Sequence, residues 1–251
     1  MTLGTDVGLG ADLTAVHAWA KRLQPLPETS HGVRLLEWWH KAAPDDVTGI
    51  LHAAWLASGD KDPKAQLLAL AAWSAMQSTD DAYLELLRAA AAVRDHHVAY
   101  ALVDTVDDAR QGRARQMVPP HPKSLAASGM PLGTRMAKAR VATPKELETH
   151  LLDPAPEVHE VLAVHPRLLA SHLLLAVRQA HVSDDVLDVV AQHKLARSSD
   201  VTQALLSAPR LHLLGAWRVV VFASHHQRRR AAAAEGTSPK VRDMLQLVTP
   251  N

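Results

Sequence analysis

Cysteine is absent from the 251 residues. That excludes disulfides, thiolate nucleophiles, cysteine-ligated zinc and iron–sulfur clusters. Aromatic residues other than tryptophan are scarce: Phe222 is the single phenylalanine, and two tyrosines stand against six tryptophans. Ile50 is the single isoleucine and Asn251 the single asparagine. Alanine, leucine, valine and arginine dominate instead, the usage expected of a GC-rich bacterial coding sequence. Alanine runs such as 89–92 therefore weigh less than usual, although alanine and leucine without β-branched alternation still point to helix.

Long apolar runs are missing too. A membrane span needs about 18 apolar residues. The longest stretch, "LHLLGAWRVVVFA" at 211–223, is interrupted by His212 and Arg218 and reads as a buried helix. The first twenty residues show no basic segment leading into an apolar one, so no signal peptide is expected and the cytoplasm is the expected location. Neither a Gly-x-Ser-x-Gly elbow nor a phosphate-cradling glycine loop occurs, which leaves serine-hydrolase and nucleotide-binding chemistry without support.

What is present is an apolar fraction of 47%, enough for a globular core. The net charge of +1 conceals segregation. Residues 1–110 carry 9 Lys/Arg against 15 Asp/Glu, residues 111–145 carry 7 Lys/Arg and no acid, and residues 146–251 carry 11 of each. These shifts mark an acidic, tryptophan-rich helical domain (1–110), a basic Pro/Gly-rich linker or crossing segment (111–145) and a C-terminal region of short helices (146–251).

Apolar residues at helical spacing predict about six helices in the first region, with proline and acidic residues in first turns at Pro44-Asp45-Asp46 and an Asp62–Pro63 start. Short connections make neighbours antiparallel. Trp19, Trp38, Trp39, Trp55 and Trp73 fall mostly on apolar faces and read as core rather than as a stacking site. In the basic segment, Pro119, Pro120, Pro122 and Pro131 exclude one continuous helix, and a short helix is expected over Thr134–Arg140.

The last region repeats itself. "EVHEVLAVHPRLLASHLLLAV" from Glu157 aligns without gaps on "DVTQALLSAPRLHLLGAWRVV" from Asp200, an offset of 43 residues. Val158 meets Val201, Leu162 meets Leu205, and Pro166-Arg167-Leu168 meets Pro209-Arg210-Leu211. Each copy reads as a short helix, a proline corner and a second apolar helix, and the spacing suits armadillo- or HEAT-type repeats. His165 and His172 become Ala208 and Gly215 in the second copy, so the unit does not require histidine. "DPAPEVHEVLAVHPRL" and the preceding "MPLGTRMAKAR" resemble the units of bacterial HEAT-like and leucine-rich-repeat-variant proteins. The resemblance covers about 130–248 and implies a helical stack. It departs from the pattern at the residue before the corner proline, and the cysteine cluster of some such proteins is missing.

The expected fold is therefore all-α, an N-terminal helical bundle followed by a C-terminal HEAT-like α-solenoid stack. Solenoids usually offer extended surfaces to partners, which favours a non-catalytic adaptor or scaffold in a bacterial multiprotein system, with no cofactor and an unspecified protein partner. Nucleic acid is the alternative partner, through Arg113, Arg115, Lys123, Arg135, Lys138, Arg140 and Lys145 and the cluster Arg228, Arg229 and Arg230; Arg167 and Arg210 are further binding candidates that either cap or pair locally or line one face of the stack. The basic segment lacks the aromatic residues that nucleic-acid grooves commonly use. A third reading is a metal-dependent helical-bundle enzyme built on the Glu-x-x-His pair Glu37 and His40, but a carboxylate-bridged centre needs two such pairs and two further glutamates from other helices, and residues 1–110 contain only Glu28, Glu37 and Glu85 as glutamates.

Overall fold

The structure is a computed structural model that describes residues 6–110, 119–179 and 182–249. Among them the protein is all-α, with fifteen α-helices and two short 3-10 turns and no strand. By its internal contacts the chain divides into two compact units. The first comprises Met1–Arg113, Val220–Arg230 and Asp243–Asn251, and the second comprises Ala114–Val219 and Ala231–Arg242.

In the first unit, six helices follow one another: α1 (Asp6–Leu23), α2 (His31–Trp39), α3 (Pro44–Ser58), α4 (Pro63–Ser78), α5 (Asp81–Val93) and α6 (His97–Arg110). The expected punctuation operates. Pro44 occupies the first turn of α3 with Asp45 and Asp46, and the Asp62 carboxylate accepts the free N–H groups of Lys64 and Ala65 at the start of α4. Helices α3 and α4 form the centre, packing on each other and on α1, with α2 against α4 and α5 and α6 against α3. Trp39 and Trp55 are almost wholly buried and Trp73 nearly so, whereas Trp19 and Trp38 are half-buried. Gly32 lets α2 approach α4: a Cβ there would lie 2.9 Å from Ser74 Cβ and 3.1 Å from the backbone nitrogen of Ala75.

The second unit contains α7 (Leu132–Arg140), α8 (Pro144–His150), α9 (Pro156–Ala163), α10 (Ala170–Val177), α11 (Asp184–Gln192) and α12 (Ser199–Leu206), with a 3-10 turn at Lys194–Arg197. Helix α13 (Leu213–Val220), α14 (His225–Ala233) and α15 (Pro239–Leu247) complete the chain. Packing skips one element at a time: α7 lies on α9 and α9 on α11, while α8 lies on α10 and α10 on α12. That is a stack of helices in two layers. The basic stretch of the sequence contributes α7 to this stack, and the buried Ala139 anchors it.

The 43-residue repeat is visible in helix bounds and in hydrogen bonds. Helices α9 and α12 start at 156 and 199, and α10 and α13 at 170 and 213. At the first corner His165 N–H donates to Leu162 O (2.9 Å) and Leu168 N–H to His165 O (3.1 Å). At the second, Ala208 N–H donates to Leu205 O (2.9 Å) and Leu211 N–H to Ala208 O (3.3 Å). Leu168 and Leu211 both turn inward and are buried. Within the helices, His159 Nε2–H donates to Asp153 O (2.9 Å), six residues back, and Thr202 Oγ–H donates to Ala196 O (2.7 Å), also six back. Thr237 makes the same six-residue bond to Ala231 O (2.6 Å).

Candidate functional site

The stack carries a groove of about 690 Å³ between the end of α9, the first proline corner, α11 and the 3-10 turn after it. Leu168, Val189 and Leu195 supply its apolar lining, with Val164 at the rim, 84% exposed. Five polar residues line it: Glu160, His165, Gln192, His193 and Lys194. Its shape follows from the corner. Pro166 stops α9 and cannot donate a backbone hydrogen bond, so the chain leaves the layer there and exposes the carbonyl ends of the helix.

His193, in the groove lining, joins the end of α9 to the 3-10 turn after α11. Its Nε2–H donates to Ala163 O (2.8 Å), and its Nδ1 accepts the N–H of Leu195 (3.0 Å). One nitrogen donates and the other accepts, so the ring is neutral, and burial holds its pKa below the ordinary value. His165 works similarly at the corner, where its Nδ1 accepts the N–H of Arg167 (3.2 Å). His172 Nδ1 takes the N–H of Leu169 (3.1 Å) at the start of α10. His193 joins two backbone segments, whereas His165 and His172 each accept one backbone N–H of their own turn, and alanine and glycine stand in their places in the second copy. By contrast, the side chains of Glu160, Gln192 and Lys194 have no hydrogen-bond partner among the described residues, so the groove offers a carboxylate, an amide and an ammonium to an incoming molecule.

The basic residues singled out in the sequence separate into distinct classes. Arg228 corrects the expectation of a surface cluster. It is fully buried and serves carbonyl oxygens: Nε donates to Ala223 O (3.1 Å), Nη1 to Val248 O (2.6 Å), and Nη2 to Ser58 Oγ (2.7 Å), Val220 O (3.2 Å) and Trp55 O (3.3 Å). Burial pushes its pKa down to about 10. It is therefore a structural tie within the first unit and is not available to phosphate. Arg135 is corrected in the same way. Only 11% of its side chain is exposed, and it pairs with the buried carboxylate of Asp153 and donates to Met130 O (3.1 Å).

Lys123, Lys138, Arg140, Lys145, Arg167, Arg210, Arg229 and Arg230 are exposed. Arg113 and Arg115 lie outside the described residues. Arg167 and Arg210 occupy equivalent places at the two corners. Glu37 pairs with Arg34 (2.6 Å), and His40 packs against Tyr83 with ring centres 4.6 Å apart and planes tilted by 48°. Among the described residues no group of three or more histidine and acidic side chains is placed to hold a metal ion, and no helix is long and apolar enough to cross a membrane.

Sequence reasoning did not find Glu160, Val164, Gln192, His193 and Lys194. They come from elements about 30 residues apart, and no motif joins them. Comparison of the chain with protein families, curated proteins and solved structures finds no match in any of the three.

Proposed function

We propose that the chain is a non-catalytic protein–protein interaction module, a HEAT-like repeat adaptor whose second unit takes up a partner in the groove beside the first corner. The observation that carries this reading is the groove itself, where unpaired Glu160, Gln192 and Lys194 surround an apolar floor next to exposed Val164. Apolar anchors within a polar rim are the usual composition of a protein-binding patch. The resemblance of the 43-residue unit to bacterial HEAT-like and leucine-rich-repeat-variant repeats supports it, because such stacks mostly serve as binding scaffolds.

The test is affinity capture from extracts of the source organism with the native chain and with a Val164→Asp/Lys194→Glu variant. Both side chains are exposed, so the variant keeps the fold. The expected result is a protein retained by the native chain and bought down at least about tenfold in affinity by the double change, the scale of a lost interface anchor. Retention that ignores these substitutions, or turnover of a substrate by the isolated chain, overturns the reading.

A second reading has one observation in its favour. Arg167 and Arg210 recur, exposed, at successive corners of the stack. A gel shift of duplex DNA at low salt that disappears when both are changed to serine would favour it.

A further inference from the structure

A different face, in the first unit, combines tryptophan, arginine and local positive charge. Trp19 near the end of α1 and Trp38 on α2 meet edge to face, with ring centres 6.2 Å apart at 78°. The Arg22 guanidinium stands 5.9 Å above the Trp38 ring. Arg34 lies one turn before Trp38 on the same side of α2, and Lys41 follows just after the helix. Both Trp rings are half-buried, whereas Arg22, Arg34 and Lys41 are exposed. Each ring is therefore partly covered and partly accessible. Tryptophan and arginine held rigid at a surface are the residue types that dominate binding energy at protein interfaces.

Charge states the kind of partner. Residues 13–41 carry four cations (Lys21, Arg22, Arg34, Lys41) against two carboxylates (Glu28, Glu37). Residues 42–110 carry five cations against eleven carboxylates. One of the two local carboxylates, Glu37, is already held by Arg34 at 2.6 Å. Arg22 and Lys41 remain as cations without a carboxylate partner among the described residues. In the chain these cations are flanked by Asp6 and Asp12 on one side and by the acidic residues 42–110 on the other. A long polyanion such as nucleic acid would be repelled by that acidic stretch, whereas a short acidic segment can be neutralised locally.

We infer that the end of α1 and the outer side of α2 dock an acidic segment of a partner protein, with an apolar side chain of that segment against the Trp19–Trp38 pair and its carboxylates on Arg22 and Lys41. The site is independent of the groove in the second unit, and each is tested by its own substitutions.

The experiment is a selection of short random displayed peptides on the full chain, with counter-selection on an Arg22→Glu/Lys41→Glu variant whose melting curve is checked against the native one. Peptides kept by the native chain and lost from the variant should be enriched in Asp and Glu flanking Phe, Leu or Trp. A synthetic peptide from that pool should bind at least about tenfold more weakly to the variant, and more weakly as salt rises. The same peptide should bind the Val164→Asp/Lys194→Glu variant as it binds the native chain. Three outcomes overturn the proposal: no peptide distinguishes native chain from variant, the distinguishing peptides are not acidic, or a single-stranded oligothymidylate shows the same dependence on Arg22 and Lys41.

Discussion

At the residue scale, Arg228 shows how far a side chain can be from what its neighbourhood in the sequence suggests. "HHQRRRAAAA" looks like an exposed basic cluster, yet the first arginine is buried and the next two are exposed. A guanidinium has five donors in a fixed fork, and here they are spent on carbonyl and hydroxyl oxygens from several segments of the first unit. Replacing it removes the donors and leaves buried acceptors unsatisfied. Arg228→Ala should cost about 3 kcal/mol or more in urea unfolding, while Arg229→Ala, on an exposed position of the same helix, should stay within about 0.5 kcal/mol. Equal effects from the two substitutions would show that Arg228 is not the tie described. No residue pattern distinguishes the three arginines. Helix phase alone separates their directions, and the phase is set by what α14 packs against.

At the scale of the helix and its corner, much was legible. The Asp62 cap, the Pro44 start of α3 and the short helix now seen as α7 are local chemistry, and each occurs where the residues indicate. At the start of α15 Ser238 Oγ accepts the N–H of Val241 (3.4 Å), whereas its neighbour Thr237 bonds back to Ala231. The six-residue bond of His159, Thr202 and Thr237 was not legible, because histidine and threonine share a donor but no shape. Thr202→Val keeps the volume and removes the donor, which leaves the Ala196 carbonyl unpaired in a fully buried place. The expected loss is about 1–2 kcal/mol by chemical denaturation. A change within error would mean that this bond does not hold the repeat together.

At the scale of the whole molecule, buried neutral histidines couple stability to pH. His52 on α3 is pushed down to about 4, first by burial and then by His96, whose ring lies 5.5 Å away. His150, His159, His193 and His225 are also held below the ordinary histidine value, each chiefly by burial. The unfolded chain takes up protons on these residues near pH 6.5, while the folded chain resists. Stability is therefore undiminished above about pH 6.5 and falls as the pH drops from there towards 4, where for His52 the loss levels off because both states are protonated. The melting temperature measured at steps between pH 7 and pH 4 should decline through this window, and His52→Gln should reduce the slope. A flat profile, or an unchanged slope in the variant, contradicts this account.

The amino-acid sequence by itself determined the fold class, most helix starts and the 43-residue unit, because capping, proline placement and apolar periodicity act over a few residues. It also determined that His165 and His172 are dispensable to that unit, through their replacement in the second copy. The tertiary structure alone decided which charges are free. It buried Arg228 and largely buried Arg135, paired Glu37 with Arg34, and left Arg22, Lys41, Glu160 and Lys194 open. It also brought α9, the corner and α11 around one groove, and set Trp19 against Trp38. These outcomes depend on which faces of different helices meet, and the free energy of such packing is shared among residues far apart in the chain.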